Sequence, residues 1–194
     1  ASELLSDPSF PANGPVVLVL HSLSGVLESS LAMALGSRLR HVVHVATLAP
    51  EPGRSFVQTR GFPANLILPL LFRMYPKGLA PSPAMLLREL GNGLGDAQQA
   101  ELVARHRPVL GGLFLKPVPR EEVNLPRTYV VCMDDRCVPP RLQTRIAKRI
   151  GAQMRSMDAG HLPMLSRPVE FADIIARVAS EASAATSNGA ANGN

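Results

Sequence analysis

Three side-chain types in this sequence could together carry out acyl transfer. Ser22 ends the apolar run VVLVLH (16–21) and is followed by LSGVLESSLAMAL, a small-residue helical pattern. Asp134 and Asp135 end a second apolar run in YVVCMDD, and His161 stands in DAGHLPML. A serine hydroxyl is a weak nucleophile until an imidazole takes its proton, and the imidazole needs a carboxylate to fix its tautomer. Each residue also has an ordinary reading. Ser22 could cap a helix. Ser24 is a second hydroxyl, although it would fall inside the first helical turn. His21 is a second imidazole, read as a hydrogen-bonding neighbour of the turn. Either aspartate could be a solvated neighbour of the other. The order serine, aspartate, histidine along the chain favours the nucleophilic reading of Ser22. His41, His44 and His106 have no partner pattern and read as ordinary.

Positioning such residues falls to the elements around them. PVVLVL is an unbroken apolar run, which indicates a strand buried on both faces, as in a parallel sheet. A helical pattern follows to about Leu39. HVVHVATL (41–48), RTYVVCM (127–133) and AQMRSM (152–157) supply three more strands. PPRLQTRIAKRI reads as a helix with proline in its first turn, and RPVEFADIIARVASEA as an amphipathic helix with Val169, Ile174, Ile175 and Val178 on one face. Strands alternating with helices give an α/β fold with a parallel sheet, and such folds place their sites in loops at the carboxyl ends of strands. Ser22, Asp134, Asp135 and His161 all occupy such loops. Residues 54–125 mix prolines with the helical stretch DAQQAELVARH and read as a helical lid between two parts of the core, 1–53 and 126–180. The first fifteen residues read as a loop or helix remnant, and the tail 181–194 as disordered.

With these segments in place the sequence resembles the α/β-hydrolases, in the group that includes plant methylesterases, hydroxynitrile lyases and their bacterial esterase relatives. HSLSG is similar to the G-H-S-x-G-G turn of that family, YVVCMDDRCVPP to its acid segment, AGHLPMLSRPVEFADII to its histidine loop and final helix, and LRELGNGLGDAQQAELVARHRP to the cap of bacterial members. The resemblance covers residues 15 to 180. It implies an α/β-hydrolase-type sheet with helices on both faces and a helical lid. It also implies Ser22 as nucleophile, His161 as base, and the amide of Leu23 as an oxyanion donor. The family's acid stands four residues before a proline, which selects Asp135, before Pro139, over Asp134. In the lyase branch a lysine follows the histidine. Here that substrate-binding place holds Leu162, which favours ester hydrolysis.

Two departures from the family pattern shape the expectations. The turn normally has glycine two residues before and after the serine, because strand and helix pack there without room for side chains. This chain has Leu20 and Ser24, and keeps Gly25. The family also carries a β-α-β segment before the turn, whose H-G type loop supplies a second oxyanion amide. The expected fold is therefore N-terminally incomplete, with Val16–Leu20 at a sheet edge and a tendency to associate, a homo-oligomer being one outcome.

Composition narrows the partners. With 46% hydrophobic and 18% charged residues the chain reads as globular. A net charge of +5 would permit an acidic partner, but aromatics are 4%, tryptophan is absent and the basic residues are scattered, so no nucleic-acid partner is expected. The two cysteines, Cys132 and Cys137, fit neither a zinc nor a redox spacing. No cofactor and no metal are expected, and reduced thiols together with the lack of a signal-peptide pattern point to the cytoplasm. Apolar runs are too short to span a bilayer. The expected activity is that of a serine carboxylesterase acting on a small-molecule ester. The alternatives are a non-catalytic or truncated α/β-hydrolase-like binding protein and, behind it, a hydroxynitrile lyase.

Overall fold

Runs of valine and leucine that expose no polar face must be covered on both sides, and the four strands of this chain meet that demand differently along the sheet. The computed structural model describes residues 7, 8, 10, 13–59, 63–120 and 124–191. Among them, strands β1 (Val16–His21), β2 (Leu39–Val45), β3 (Arg127–Cys132) and β4 (Gln153–Met157) form one parallel sheet in the order β1-β2-β3-β4. Register shifts once, between Val16 and Val17, and beyond that sets Leu20 opposite His44, His44 opposite Tyr129, and Tyr129 opposite Met154. β1 lies at an edge, as the sequence implied.

Helix α1 (Glu28–Leu35) follows β1 through a 3-10 turn, Ser22–Leu27. Among the described residues, three helices and two one-turn helices lie between β2 and β3: α2 (Phe56–Thr59), α3 (Ala64–Met74), α4 (Pro83–Leu90), α5 (Asp96–Arg105) and α6 (Gly112–Leu115), of which α2 and α6 are the single turns. Helix α7 (Pro140–Arg149) joins β3 to β4, and α8 (Pro163–Ser166) precedes the long α9 (Pro168–Ala191). One face of the sheet packs on α9: Val43, Val45, Val130, Cys132 and Met157 meet Val178, Ile174, Ile175 and Phe171. On the other face Leu20 and Val42 meet Leu31 and Leu35 of α1, while Tyr129 and Val131 meet Ile146 and Ala147 of α7. Helices therefore cover both faces, and each strand's alternate side chains serve opposite layers.

Two expectations need correction. Val169 is 74% exposed and does not share the buried face of α9. At roughly 100° per residue it stands half a turn from Val178, and Phe171 takes its place against the core. The helix also continues through residues 181–191, which the sequence reading gave to a disordered tail. Alanines in ASAATSNGAANGN give that stretch helical propensity that its low complexity concealed. Residues 192–194 of the expected tail, and much of the expected N-terminal loop, lie outside the described residues. No helix among the described residues is long and apolar enough to cross a membrane.

Candidate active site

Ser22 sits where β1 ends and the 3-10 turn begins, with φ of 54°. A non-glycine residue in this region is strained by its own Cβ, so neighbouring contacts must impose the conformation. Several do. The Leu48 amide donates to the Ser22 carbonyl at 2.8 Å, and the Thr47 hydroxyl donates to the Leu20 carbonyl at 2.9 Å. Ser24 accepts from the His21 amide and donates to the His21 carbonyl, both at 2.7 Å. The serine at this place thus ties the turn with its hydroxyl, which leaves it engaged rather than poised to attack. Gly25 is required by close approach, since a Cβ there would overlap Thr47 Cγ2 and the Leu48 carbonyl. Leu20, the departure that sets a side chain where the family has none, is 2% exposed and packs with Leu31, Ala32 and Leu35 of α1. The turn keeps its strained serine while that side chain is absorbed into the α1 layer.

Asp135 lies in the loop after β3 and is 4% exposed. Four donors face its carboxylate: the Cys137 and Val138 amides on Oδ1, each at 2.8 Å, and Gln143 Nε2 at 3.1 Å and His161 Nδ1 at 2.8 Å on Oδ2. Gln143, fully buried on α7, also donates to the Val138 carbonyl and accepts from the Cys132 amide. Nothing in the sequence pattern singled it out; a polar residue on the inward face of an otherwise amphipathic helix was the available signal. Asp134 contributes through its backbone, its amide donating to the Ala159 carbonyl and its carbonyl accepting from Asn92 Nδ2.

His161 is 2% exposed. With Nδ1–H donated to Asp135, its Nε2 is the acceptor for the Ser22 hydroxyl at 2.9 Å. The structure thus brings Ser22, His161 and Asp135 into one hydrogen-bonded line. Leu23 follows Ser22 as the second residue of the 3-10 turn, where a helix leaves its first amides without internal acceptors. Leu162 is half-buried at the start of α8, its carbonyl accepting from the Leu165 and Ser166 amides. His21 lies against the same site: its Nε2–H donates to the His161 carbonyl at 2.7 Å, and the two rings are 4.9 Å apart. Burial, then the neighbouring His161, hold the His21 pKa down to about 4.

The stretch between β2 and β3 bonds to the loops of this site through two side chains. Asn92, between α4 and α5, holds the Asp134 carbonyl, and Gln98 of α5 donates to the Leu165 carbonyl. Gly160 is required there, since a Cβ would overlap the Asn92 carbonyl. Near the serine turn, an apolar cavity of about 730 Å³ opens between Val26 and Leu27 on one side and Val109, Leu110 and Leu113 on the other. His44 differs from its ordinary sequence reading: fully buried on β2, its Nε2 is 3.3 Å from Glu28, whose other oxygen takes Arg127 Nε at 2.7 Å. Burial pushes the Glu28 carboxyl up, but His44 and Arg127 outweigh it and the pKa falls below the usual value. Burial also pushes the Cys132 thiol up to about 12, so this cysteine is inert packing.

Compared with known proteins, residues 2–174 match the family described as "Alpha/beta hydrolase family". No curated protein sequence matches the chain. Among solved structures, it is similar to polyneuridine aldehyde esterase, with a TM-score of 0.69 at 18% identity over 92% of this chain and 76% of that one. An extracellular alpha/beta-hydrolase from a Paenibacillus species gives a TM-score of 0.74 at 13% identity, over 86% of this chain and 72% of that one. A pyrethroid hydrolase from Sphingobium faniae JZ-2 gives 0.66 at 21% identity, over 92% and 74%.

Proposed function

The chain belongs to the alpha/beta hydrolase family, and from that premise we propose that it is a serine hydrolase cleaving small carboxylic esters. The observation that carries this reading is the line from Ser22 Oγ through His161 Nε2 and Nδ1 to Asp135. In this reading Ser22 Oγ attacks the ester carbonyl as His161 Nε2 takes its proton, and Asp135 holds the imidazolium that results. The Leu23 amide, at the start of the turn, stabilises the oxyanion. The tetrahedral intermediate collapses, His161 returns the proton to the departing alkoxide, and an acyl-serine remains. Water then attacks that acyl-serine, giving its proton to His161, and the acid is released with Ser22 restored. The helical stretch over 54–125 serves as the lid, and the apolar cavity beside Val26 and Leu27 gives cover to the ester's apolar part.

Fluorophosphonate labelling and p-nitrophenyl acetate hydrolysis test the proposal. Ser22→Ala is expected to abolish both, with a loss on the order of 10⁶ in kcat where the background permits it to be measured. Labelling that survives Ser22→Ala and is lost in Ser24→Ala would move the nucleophile by two residues and sink the assignment. A wild-type chain that is neither labelled nor active would favour the non-catalytic alternative.

A further inference from the structure

The histidine beside the nucleophile has no part in the proton path described above, yet its ring is spent on the base. His21 Nε2–H donates to the main-chain carbonyl of His161 at 2.7 Å, across 140 residues of sequence. Its own backbone is held twice by the Ser24 hydroxyl, on the amide and on the carbonyl. We infer that His21 is a positioning residue for the His161 base, joining the strained serine turn to the histidine loop through its Nε2–H so that nucleophile and base keep one geometry. The inference rests on the hydrolase reading of Ser22, His161 and Asp135.

The physical case comes from what else fixes His161. Its ring is tied at both nitrogens, to Asp135 and to Ser22. Its backbone follows Gly160, where the Asn92 carbonyl lies too close to admit a Cβ. Ring bonds alone do not fix the loop along the direction toward Ser22, because the serine hydroxyl gives up that bond with its proton when its oxygen attacks. A donor from the serine turn to the His161 carbonyl supplies that missing restraint, and it persists after Ser22 has been acylated. The tautomer follows from the partner: a carbonyl only accepts, so the proton of His21 sits on Nε2. Burial keeps the ring neutral above about pH 4, so no second positive charge stands beside the imidazolium during turnover. The two positions after and before the serine therefore work together. Ser24, where the family has glycine, fixes the backbone from which His21 reaches out.

The test compares His21→Gln, whose side-chain amide offers a donor at similar reach, with His21→Leu, which keeps bulk and loses the donor. His21→Asn, with its amide too close to the backbone to reach, stands in for the leucine variant should that one fail to fold. For hydrolysis of p-nitrophenyl acetate, loss of the donor is expected to lower kcat by roughly 10- to 10²-fold with KM nearly unchanged, the scale of a small misplacement of catalytic groups. The glutamine variant is expected to recover most of that loss. A second readout is independent of turnover: the low-field proton resonance of His161 Nδ1–H, expected in wild type and His21→Gln, and broadened away in His21→Leu. Turnover and resonance unchanged in His21→Leu would overturn the inference. Equal losses in the glutamine and leucine variants would also overturn it, since packing volume and not the hydrogen bond would then be at work. If wild type shows no Ser22-dependent activity, the hydrolase reading fails, and the resonance alone decides the role of His21.

Discussion

Val43, Val45, Val130 and Cys132 are fully buried between α9 and the opposite helical layer, whereas Leu66, Ile67, Leu70 and Met74 of α3 each leave more than half of their surface open. Both sets are apolar, so composition alone does not separate them. The sheet residues are flanked by strands whose register leaves no freedom, and the loops they carry hold Ser22, Asp135 and His161 within hydrogen-bonding distance. The α3 residues lie along one stripe of a helix with Pro69 in its interior, and no layer of the described fold covers that stripe. The contrast teaches where precision resides. The site is built from rigid elements whose contacts over-determine it, and the stretch between β2 and β3, the lid of the proposed reading, bonds to the site's loops through Asn92 and Gln98.

The largest effect that could break this contrast concerns the acid. Asp135→Asn is expected to lower turnover by about 10⁴, the scale seen when a triad acid becomes an amide and stabilises the wrong tautomer. Asp134→Asn is expected to cost little, since Asp134 serves the site through its main chain. Kinetics of both variants with a p-nitrophenyl ester check this, and equal losses would mean that the precision assigned to the Asp135 carboxylate is misplaced.

Next in size is acid sensitivity. His21 titrates near 4 when folded and near 6.5 when unfolded, so between those values the unfolded chain binds the extra proton. Stability therefore rises with pH through that window and falls on acidification, by up to about 3 kcal/mol at the acid end. His41, lowered chiefly by burial, acts in the same direction, and Glu28, whose pKa is lowered, loses its contribution on further acidification. Denaturant unfolding from pH 4 to pH 7 measures the slope, which is expected to flatten in His21→Gln. An unchanged slope would place the acid sensitivity outside the site.

How far the sequence discloses this arrangement depends on the range of the interaction concerned. β1 is legible as an unbroken apolar run and β2 and β3 as valine-rich segments, and the order of Ser22, Asp135 and His161 is legible because each follows a strand. Leu20 was read as an intrusion because its acceptor surface, formed by Leu31, Ala32 and Leu35, becomes visible only when α1 folds back on β1. Gln143 was missed because its meaning lies in a carboxylate across the β3–α7 loop, and Asn92 because its partner is a backbone carbonyl on another segment. Val169 was misplaced by counting apolar residues without their angular phase. The exposed stripe of α3 gave no signal at all, since an apolar helix face reads the same whether or not another layer covers it.

Glycines allow a smaller test between the two regions. Gly25→Ala is expected to destabilise by roughly 1–3 kcal/mol, because the new methyl group would meet Thr47 and the Leu48 backbone. Gly112→Ala in α6, where a Cβ meets nothing within 4 Å, is expected to be neutral or to stabilise by up to about 1 kcal/mol. Thermal melts of the two variants decide it, and similar destabilisation in both would show that the cover is packed as tightly as the turn.

The smallest expected effect bears on what the α3 stripe is for. Leu66 and Leu70 are 65% and 62% exposed, so replacing either with serine or glutamine removes little apolar area from the folded interior. Such surface changes usually fall within about 0.5 kcal/mol. An apolar stripe open to water nevertheless favours association. Light scattering on the Leu66→Ser, Leu70→Gln double variant is therefore expected to show less self-association than wild type, with an unfolding midpoint almost unchanged. Substituting Val43 with serine in β2 provides the contrast, since a buried hydroxyl without a partner and the lost packing together cost several times more, about 2–5 kcal/mol. If the α3 variant proved as unstable as the Val43 variant, the stripe would be a buried surface in the working protein, and the division between rigid site and adaptable cover would have to be redrawn with α3 on the rigid side.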